Sequence, residues 1–354
     1  MDIIIYTVIG FAIGIILLPL IRYWGITFKF VDRPNQRKLH VSPIPALGGV
    51  VVFLAIAAFF VLQPSLTAFP QWVLFILLLT ALFLTGLLDD KFDLPSLVRL
   101  GIQLGCATLL ALNGVKIDSL YGIIGIYEIP EMLQIPLTVV VITGVVNAFN
   151  LIDGIDGLAG GLSFINSTVL AVIFFMIGLQ EMALFCALLS GVLFSFLVYN
   201  FQPAKIFMGD SGSLILGFIF STLGLYIIKI DVSKVYPIEV NINLAIGLVA
   251  LPVFDTVRLF AERILQGKSP FAADKNHIHH LILNKHQGHM KASYVIYIVH
   301  CVFVITSLVS SRLPLSILLT ILIIEYFLCI FWYRNKNLSP KPDSDYLLIT
   351  EEEG

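Results

Sequence analysis

Charge is scarce in this chain of 354 residues, of which 12% are Asp, Glu, Lys or Arg and 58% are hydrophobic. Soluble domains carry about 25% charge. There is too little polar surface here to cover a water-exposed fold, so nearly the whole chain should lie in a bilayer. A formal net charge of −2 argues against a nucleic-acid binder. The cysteines Cys106, Cys186, Cys301 and Cys329 all fall inside apolar runs with no C-x-x-C spacing, which argues against a disulfide framework and a thiolate metal centre. The apolar opening of the chain lacks a basic n-region and an A-x-A cleavage site, so it reads as a retained span rather than a signal peptide. No repeat of fixed period and no long linker divides the chain. One integral-membrane domain is expected over 1–334, followed by a cytoplasmic, mobile tail over 335–354 that carries Pro340, Pro342 and a Glu351–Glu353 run.

What the chain does have is long apolar runs. A span takes about 20 mainly apolar residues. Candidates lie near 2–22, 46–64, 71–88, 98–113, 133–150, 158–178, 181–200, 212–229, 241–262, 293–310 and 314–333, eleven in all. The fourth is interrupted by Gln103 and the fifth ends in asparagines. With eleven spans, loops 23–45, 89–97, 151–157, 201–211 and 263–292 and the tail share one face. Of 21 lysines and arginines, only Lys116, Lys229, Lys234 and Arg312 fall opposite, the others lying in these loops and the tail or in the span ends that join them, and the positive-inside rule makes that face cytoplasmic. The expected fold is therefore an all-α polytopic membrane protein of about eleven transmembrane helices. Its N-terminus is out, its C-terminus is in, and Trp24, Trp72 and Trp332 sit at span ends as interfacial anchors.

Four polar clusters fall on the cytoplasmic side. Polar groups at membrane depth are costly and mark a site by default. Asp89-Asp90-Lys91-Phe92-Asp93 closes the third run. If the helix continues, Asp89 and Asp93 stack on one face with Asp90 alongside, and three adjacent carboxylates suit Mg²⁺, which is commonly shared with substrate phosphates. Asn147, Asn150 and Asp153 recur at three-residue spacing within N-A-F-N-L-I-D-G-I-D-G and line one side of a helix end. Gly209-Asp210-Ser211-Gly212-Ser213 opens another run, where free N–H groups favour a phosphate unless Asp210 is merely an N-cap. His277, His279 and His280 follow Arg263, Lys268 and Lys275 in the longest polar loop. No H-E-x-x-H or nearby cysteine supports zinc, whereas a cationic pocket for a diphosphate fits the bases. Lys38 and His40 add to the same cationic side. Carboxylates and amides for a metal, bases for an anion and hydrocarbon alongside fit phosphoryl transfer between a soluble nucleotide and a lipid.

Five segments in order are R-K-L-H-V-S-P-I-P-A-L-G-G, D-D-K-F-D, N-A-F-N-L-I-D-G-I-D-G, K-I-F-M-G-D-S-G-S and S-P-F-A-A-D-K-N-H-I-H-H. Over roughly residues 20 to 290 they resemble the bacterial polyprenyl-phosphate N-acetylhexosamine-1-phosphate transferases, glycosyltransferase family 4. The H-I-H-H form separates this branch from the muramoyl-pentapeptide branch. The resemblance implies eleven spans, a cytoplasmic active site in the bacterial inner membrane, and transfer of a sugar 1-phosphate from a UDP-N-acetylhexosamine to undecaprenyl phosphate. It also implies Mg²⁺ dependence, with Mn²⁺ as a substitute and a homodimer left open. By motif, Asp89, Asp90, Asp93 and Asp153 are expected to be catalytic, Asp89 and Asp90 matching the acidic pair that handles lipid phosphate and metal. Asn150 and Asp210 match metal positions. Asp156 matches a position near the uracil, and Lys38, His40, Asn147, Arg263, His277, His279 and His280 are expected to bind substrate. Two rivals compete. A transporter would place its carboxylates near the bilayer midplane, and a CDP-alcohol phosphatidyltransferase would follow Asp153-Gly154 with an arginine that is missing here.

Overall fold

The computed structural model describes residues 1–32, 44–63, 72–201, 203–229, 242–269, 276–286 and 288–334. Lys38, His40 and the tail 335–354 lie outside the described residues. Twelve helices are present among the described residues: α1 Asp2–Thr27, α2 Gly48–Leu62, α3 Trp72–Phe92, α4 Ser96–Leu112, α5 Glu131–Ile152, α6 Leu158–Met176, α7 Gln180–Asn200, α8 Asp210–Lys229, α9 Ile242–Leu265, α10 Ile278–His286, α11 His289–Val309 and α12 Leu315–Arg334. Nine are long and apolar enough to cross a membrane, and α2 and α4 are shorter apolar helices. This is the architecture of a multi-pass membrane protein. Each expected span has a helix.

Two features were not expected from sequence. The nine-residue α10 forms within the longest polar loop. Two short antiparallel pairs also break the all-α expectation, β1 Val31–Asp32 with β2 Ile44–Pro45 and β3 Ser119–Ile123 with β4 Ile126–Glu128. The second is a hairpin whose turn residues Ile124 and Gly125 both have positive φ, 56° and 77°, the conformation that matches strand twist.

Helices α7 and α8 are buried along most of their length, 83% and 89% of their apolar windows, so they form the centre of the bundle. Outward faces of α3, α11 and α12 present Leu77, Ile298 and Leu328, apolar surface with no protein partner, as a lipid-facing helix requires. Helices pack closely where side chains vanish. A Cβ on Gly10 would lie 2.1 Å from the Leu188 carbonyl oxygen, and one on Gly191 2.0 Å from that of Thr7, so α1 and α7 meet backbone to backbone.

The interrupted fourth span and the asparagine-tipped fifth explain each other. Asn147 Nδ2 donates to Gln103 Oε1 at 2.7 Å and to the Thr143 carbonyl at 2.9 Å. Two polar residues that looked like separate defects in apolar runs form one bond between α4 and α5.

Candidate active site

The first turn of α8 is the hub. Gly209, at φ +74°, turns the chain into the helix, and a Cβ there would lie 2.7 Å from Asp90 Oδ2. On neighbouring helices Gly86 and Gly49 are just as tight: a Cβ on either would stand within 2.4 Å of the Ser211 or Gly212 backbone nitrogen. These glycines let α2 and α3 clasp the start of α8.

Asp90 fills the place where an anion was expected. Its Oδ1 accepts the Asp210 N–H at 2.7 Å and its Oδ2 the Ser211 N–H at 3.1 Å, while Gly212 and Ser213 donate to the Gly209 carbonyl. A carboxylate from α3 thus caps α8, and the helix start has no N–H left for a phosphate. Asp210 itself is freed from capping. Its Oδ1 accepts from Asn150 Nδ2 at 2.7 Å and its Oδ2 from Arg99 Nη1 at 2.9 Å. Arg99 also pairs with Asp89, and Asp89 accepts the Leu94 N–H at 2.7 Å. One guanidinium therefore bridges two carboxylates from α3 and α8.

The expected stack of Asp89 and Asp93 does not form. Helix α3 stops at Phe92, and Asp93 takes a left-handed φ of +55°, its N–H bonding the Asp89 carbonyl. Pro95, two residues on, disfavours helical geometry just before it. The Asp93 side chain is exposed, whereas that of Asp89 is buried.

A metal would find hard oxygen donors here. Among the described residues no three acidic or histidine groups form a ready cluster. Mg²⁺, however, is usually held by one or two carboxylates with water and substrate phosphate completing the shell. Asp210, with Asp89 beside it, supplies such a pair, and the residues fit the ion. Asn150 presents its NH₂ to Asp210 and, at 3.0 Å, to Ser213 Oγ. As a ligand it would turn its amide over and offer the carbonyl oxygen.

The loop between α5 and α6 carries Asp153 and Asp156. Asp153 is half-buried and accepts no side-chain hydrogen bond among the described residues. Burial, then the charges of Asp90 and Asp156, push its carboxyl up to about 7. Asp156 faces His289 Nδ1 at 3.2 Å, and its carbonyl accepts from Ser293 Oγ at 2.8 Å. Gly157, at φ +81°, starts α6, its N–H held by Asn200 Oδ1 at 2.6 Å.

Over this loop lies the histidine segment. His277 and His279 stack with ring centroids 5.4 Å apart, and His279 and His280 approach to 4.4 Å. A Cβ on Gly154 would lie 2.3 Å from His279 Nε2, so the imidazole rests on the glycine. The expectation that His279 offers a charged donor is corrected. It is 2% exposed, and burial, with His280 and His277 adding to it, holds its pKa well below the usual histidine value. A neutral ring is what that space accepts. Arg263 is buried too, its guanidinium 5.8 Å from the Phe260 ring centre.

The structure therefore gathers Asp89, Asp90, Asn150 and Asp210 by direct bonds, with Asp153, Asp156 and the histidine segment at the same end of the bundle. Asn147 is committed to Gln103 instead. Reading the sequence missed Arg99, Asp255, Arg258 and His289. The first three carried a usable signal, since charges within apolar runs are as telling for Arg as for Asp.

An apolar bundle with carboxylates, a bridging arginine and stacked histidines gathered at one end has the make-up of a membrane enzyme's site. The glycosyl transferase family 4 profile matches residues 72–228. A Bacillus subtilis (strain 168) protein named "Probable undecaprenyl-phosphate N-acetylglucosaminyl 1-phosphate transferase" is 34% identical over 336 residues, covering 92% of this chain and 90% of its own length. The decaprenyl-phosphate N-acetylglucosaminephosphotransferase of Mycolicibacterium smegmatis (strain ATCC 700084 / mc(2)155) is 31% identical, covering 78% of this chain and 74% of its own. The undecaprenyl-phosphate alpha-N-acetylglucosaminyl 1-phosphate transferase of Escherichia coli (strain K12) is 32% identical, over 72% of this chain and 69% of its own. The chain belongs to glycosyl transferase family 4 and is a transferase.

Proposed function

We propose that the protein transfers N-acetylglucosamine 1-phosphate from UDP-N-acetylglucosamine to undecaprenyl phosphate, releasing UMP and starting a lipid-linked envelope glycan. The observation that carries this is the Asp89–Arg99–Asp210–Asn150 network, set at one end of an apolar bundle where a nucleotide and a lipid can meet. The names of the relatives supply the substrate class. The excess of Lys and Arg on that face favours the cytoplasmic side of the bacterial inner membrane, with the N-terminus out and the C-terminus in.

In this reading an oxygen of the lipid phosphate attacks the β-phosphorus of the UDP-sugar. The bond from that phosphorus to the bridging oxygen breaks, and the electron pair leaves with UMP. When bound at Asp210, Mg²⁺ supplies neutralisation of the charge that gathers on the leaving phosphate. The chain's own residues align the parts. Asp90 fixes the Asp210 backbone by capping α8, so its part is to hold Asp210 rather than to touch the lipid. Asn150 and Arg99 orient the Asp210 carboxylate. Asp153 is the carboxylate suited to accept a last proton from the lipid phosphate, whose second pKa is about 6, because its own sits at about 7. His277, His280 and Arg263 face the donor diphosphate, and Asp156, steadied by His289, serves the nucleotide end.

The test is product analysis of the purified protein with undecaprenyl phosphate and a panel of UDP-amino sugars, with and without Mg²⁺. The expected result is UMP and an undecaprenyl-diphosphate sugar in equal amounts, formed from UDP-N-acetylglucosamine and dependent on the metal. No lipid product from any member of the panel would overturn the proposal. A sugar phosphate trapped on Asp89, Asp90 or Asp153, with ping-pong kinetics, would replace direct attack by a covalent route.

A further inference from the structure

Asp255 stands in α9, in an apolar stretch, and is 1% exposed. A carboxylate there is costly unless fully partnered. It has four donors. Its Oδ1 accepts from Arg258 Nη2 at 2.9 Å, Tyr326 Oη at 2.9 Å and the Ile278 N–H at 3.0 Å. Its Oδ2 faces His277 Nδ1 at 2.8 Å.

Arg258 completes the clamp. Nη2 also donates to the Asn276 carbonyl at 2.7 Å, Nε to Tyr326 Oη at 2.8 Å, and Nη1 to Glu262 at 3.0 Å. The backbone on both sides of His277 is therefore held, at Asn276 by Arg258 and at Ile278 by Asp255. Such binding exceeds what a loop needs merely to pack. It fixes one imidazole in place and in tautomer, since a carboxylate facing Nδ1 requires the proton on that nitrogen. Nε2 is then left for another partner, and among the described residues it has none. His277 stacks on His279, which rests on Gly154 beside Asp153, so the fixed ring belongs to the edge of the active site.

We infer that Asp255 is a positioning residue for the transfer reaction, which, backed by Arg258 and Tyr326, holds His277 with Nε2 presented to the diphosphate of the nucleotide-sugar. This rests on the donor-binding role proposed above for the histidine segment. Asp255 touches no substrate. It acts through His277.

The experiment is a double-mutant cycle on the full-length protein in detergent, with Asp255→Asn, His277→Ala and the pair, measuring kcat and the two KM values separately. An asparagine that turns its NH₂ toward His277 favours the other tautomer. Asp255→Asn should raise the KM for the UDP-sugar by about 10- to 100-fold, the usual range for losing an orienting partner, and leave the lipid KM within about twofold. In the His277→Ala background the same change should add less than about twofold, because nothing remains to be positioned. Asp255→Glu, which keeps a negative charge for Arg258 but displaces it from His277, should show the same coupled pattern and serves if the Asn variant does not fold. Multiplying effects in the double variant, or equal rises in both KM values, would overturn the inference while leaving the donor-binding role intact. An unchanged UDP-sugar KM in His277→Ala alone would sink that role, and this inference with it.

Discussion

Arg99 supplies the positive charge between Asp89 and Asp210, and replacing it by methionine tests whether that is its work. The variant keeps most of the apolar stem and removes the charge. It breaks the ion pairs to Asp89 and to Asp210, the latter at 2.9 Å. Asp89, with 4% of its side chain exposed, would keep only the Leu94 N–H. A hydrogen bond to a charged group contributes about 1.5 to 3 kcal/mol. The guanidinium is 28% exposed and Asp210 31%, so water takes over part of the loss, and the sum falls to about 2 kcal/mol. That is about 30-fold in the folding equilibrium, or about 3 °C in melting temperature for a chain of this size. In EDTA the variant should unfold lower by that margin. Mg²⁺ at millimolar concentration should recover most of the difference, since a second cation can then sit between the same carboxylates. Thermal unfolding of the detergent-solubilised proteins, with and without the metal, reads both. Equal melting temperatures in EDTA, or an equal rise for both proteins on adding Mg²⁺, would refute the reasoning.

Asp210→Asn should lower kcat at least about 100-fold at saturating Mg²⁺, the scale of losing one electrostatic stabiliser, and near-normal turnover would remove Asp210 from the site. Asp153 carries a folded-state pKa of about 7 against an ordinary 3.8, so the folded protein binds its proton more tightly than the unfolded chain. Its contribution to stability is therefore present in full below about pH 4 and is lost as pH rises towards 7. Without divalent metal, stability should fall across that window in the native protein and fall less in Asp153→Asn; parallel pH curves would count against the shift. Gly154→Ala puts a Cβ 2.3 Å from His279 Nε2 and should raise the UDP-sugar KM as the histidine segment is pushed off the loop, with the lipid KM unmoved. Asn147→Ala removes one bond between α4 and α5, worth about 0.6 kcal/mol in a membrane protein. It should cost a small loss of stability with both KM values intact, and a selective rise in either would return Asn147 to the substrate.

The separation of these contacts along the chain explains what could be foreseen. Spans are legible because the bilayer sets a length that an apolar run either meets or does not, and each of the eleven runs has a helix. The clusters at Asp89, Asn150, Asp153 and Asp210 stood out because polar groups in apolar surroundings need a reason. Their partners did not. Arg99 and Asp210 are 111 residues apart, and Asp90 and the Asp210 N–H 120 apart, and no local pattern encodes which carboxylate caps and which is left for a cation. Asp93 was misjudged because a helix period was carried one residue past the point where the turn before Pro95 ends it. His279 looked cationic because its neighbours in sequence are basic, whereas burial decides its charge.

The sequence by itself determined that the chain is a multi-pass membrane protein and that its chemistry lies in a few short polar segments, because hydrophobic run length and the cost of a buried polar group are one-dimensional facts. Only the tertiary structure decided the roles. It made Asp90 a helix cap, joined Asn147 to Gln103, set Arg99 between two acids and tied His277 to Asp255. A side chain's role depends on which donors and acceptors the packing of distant helices brings within about 3 Å, and that is a property of three dimensions.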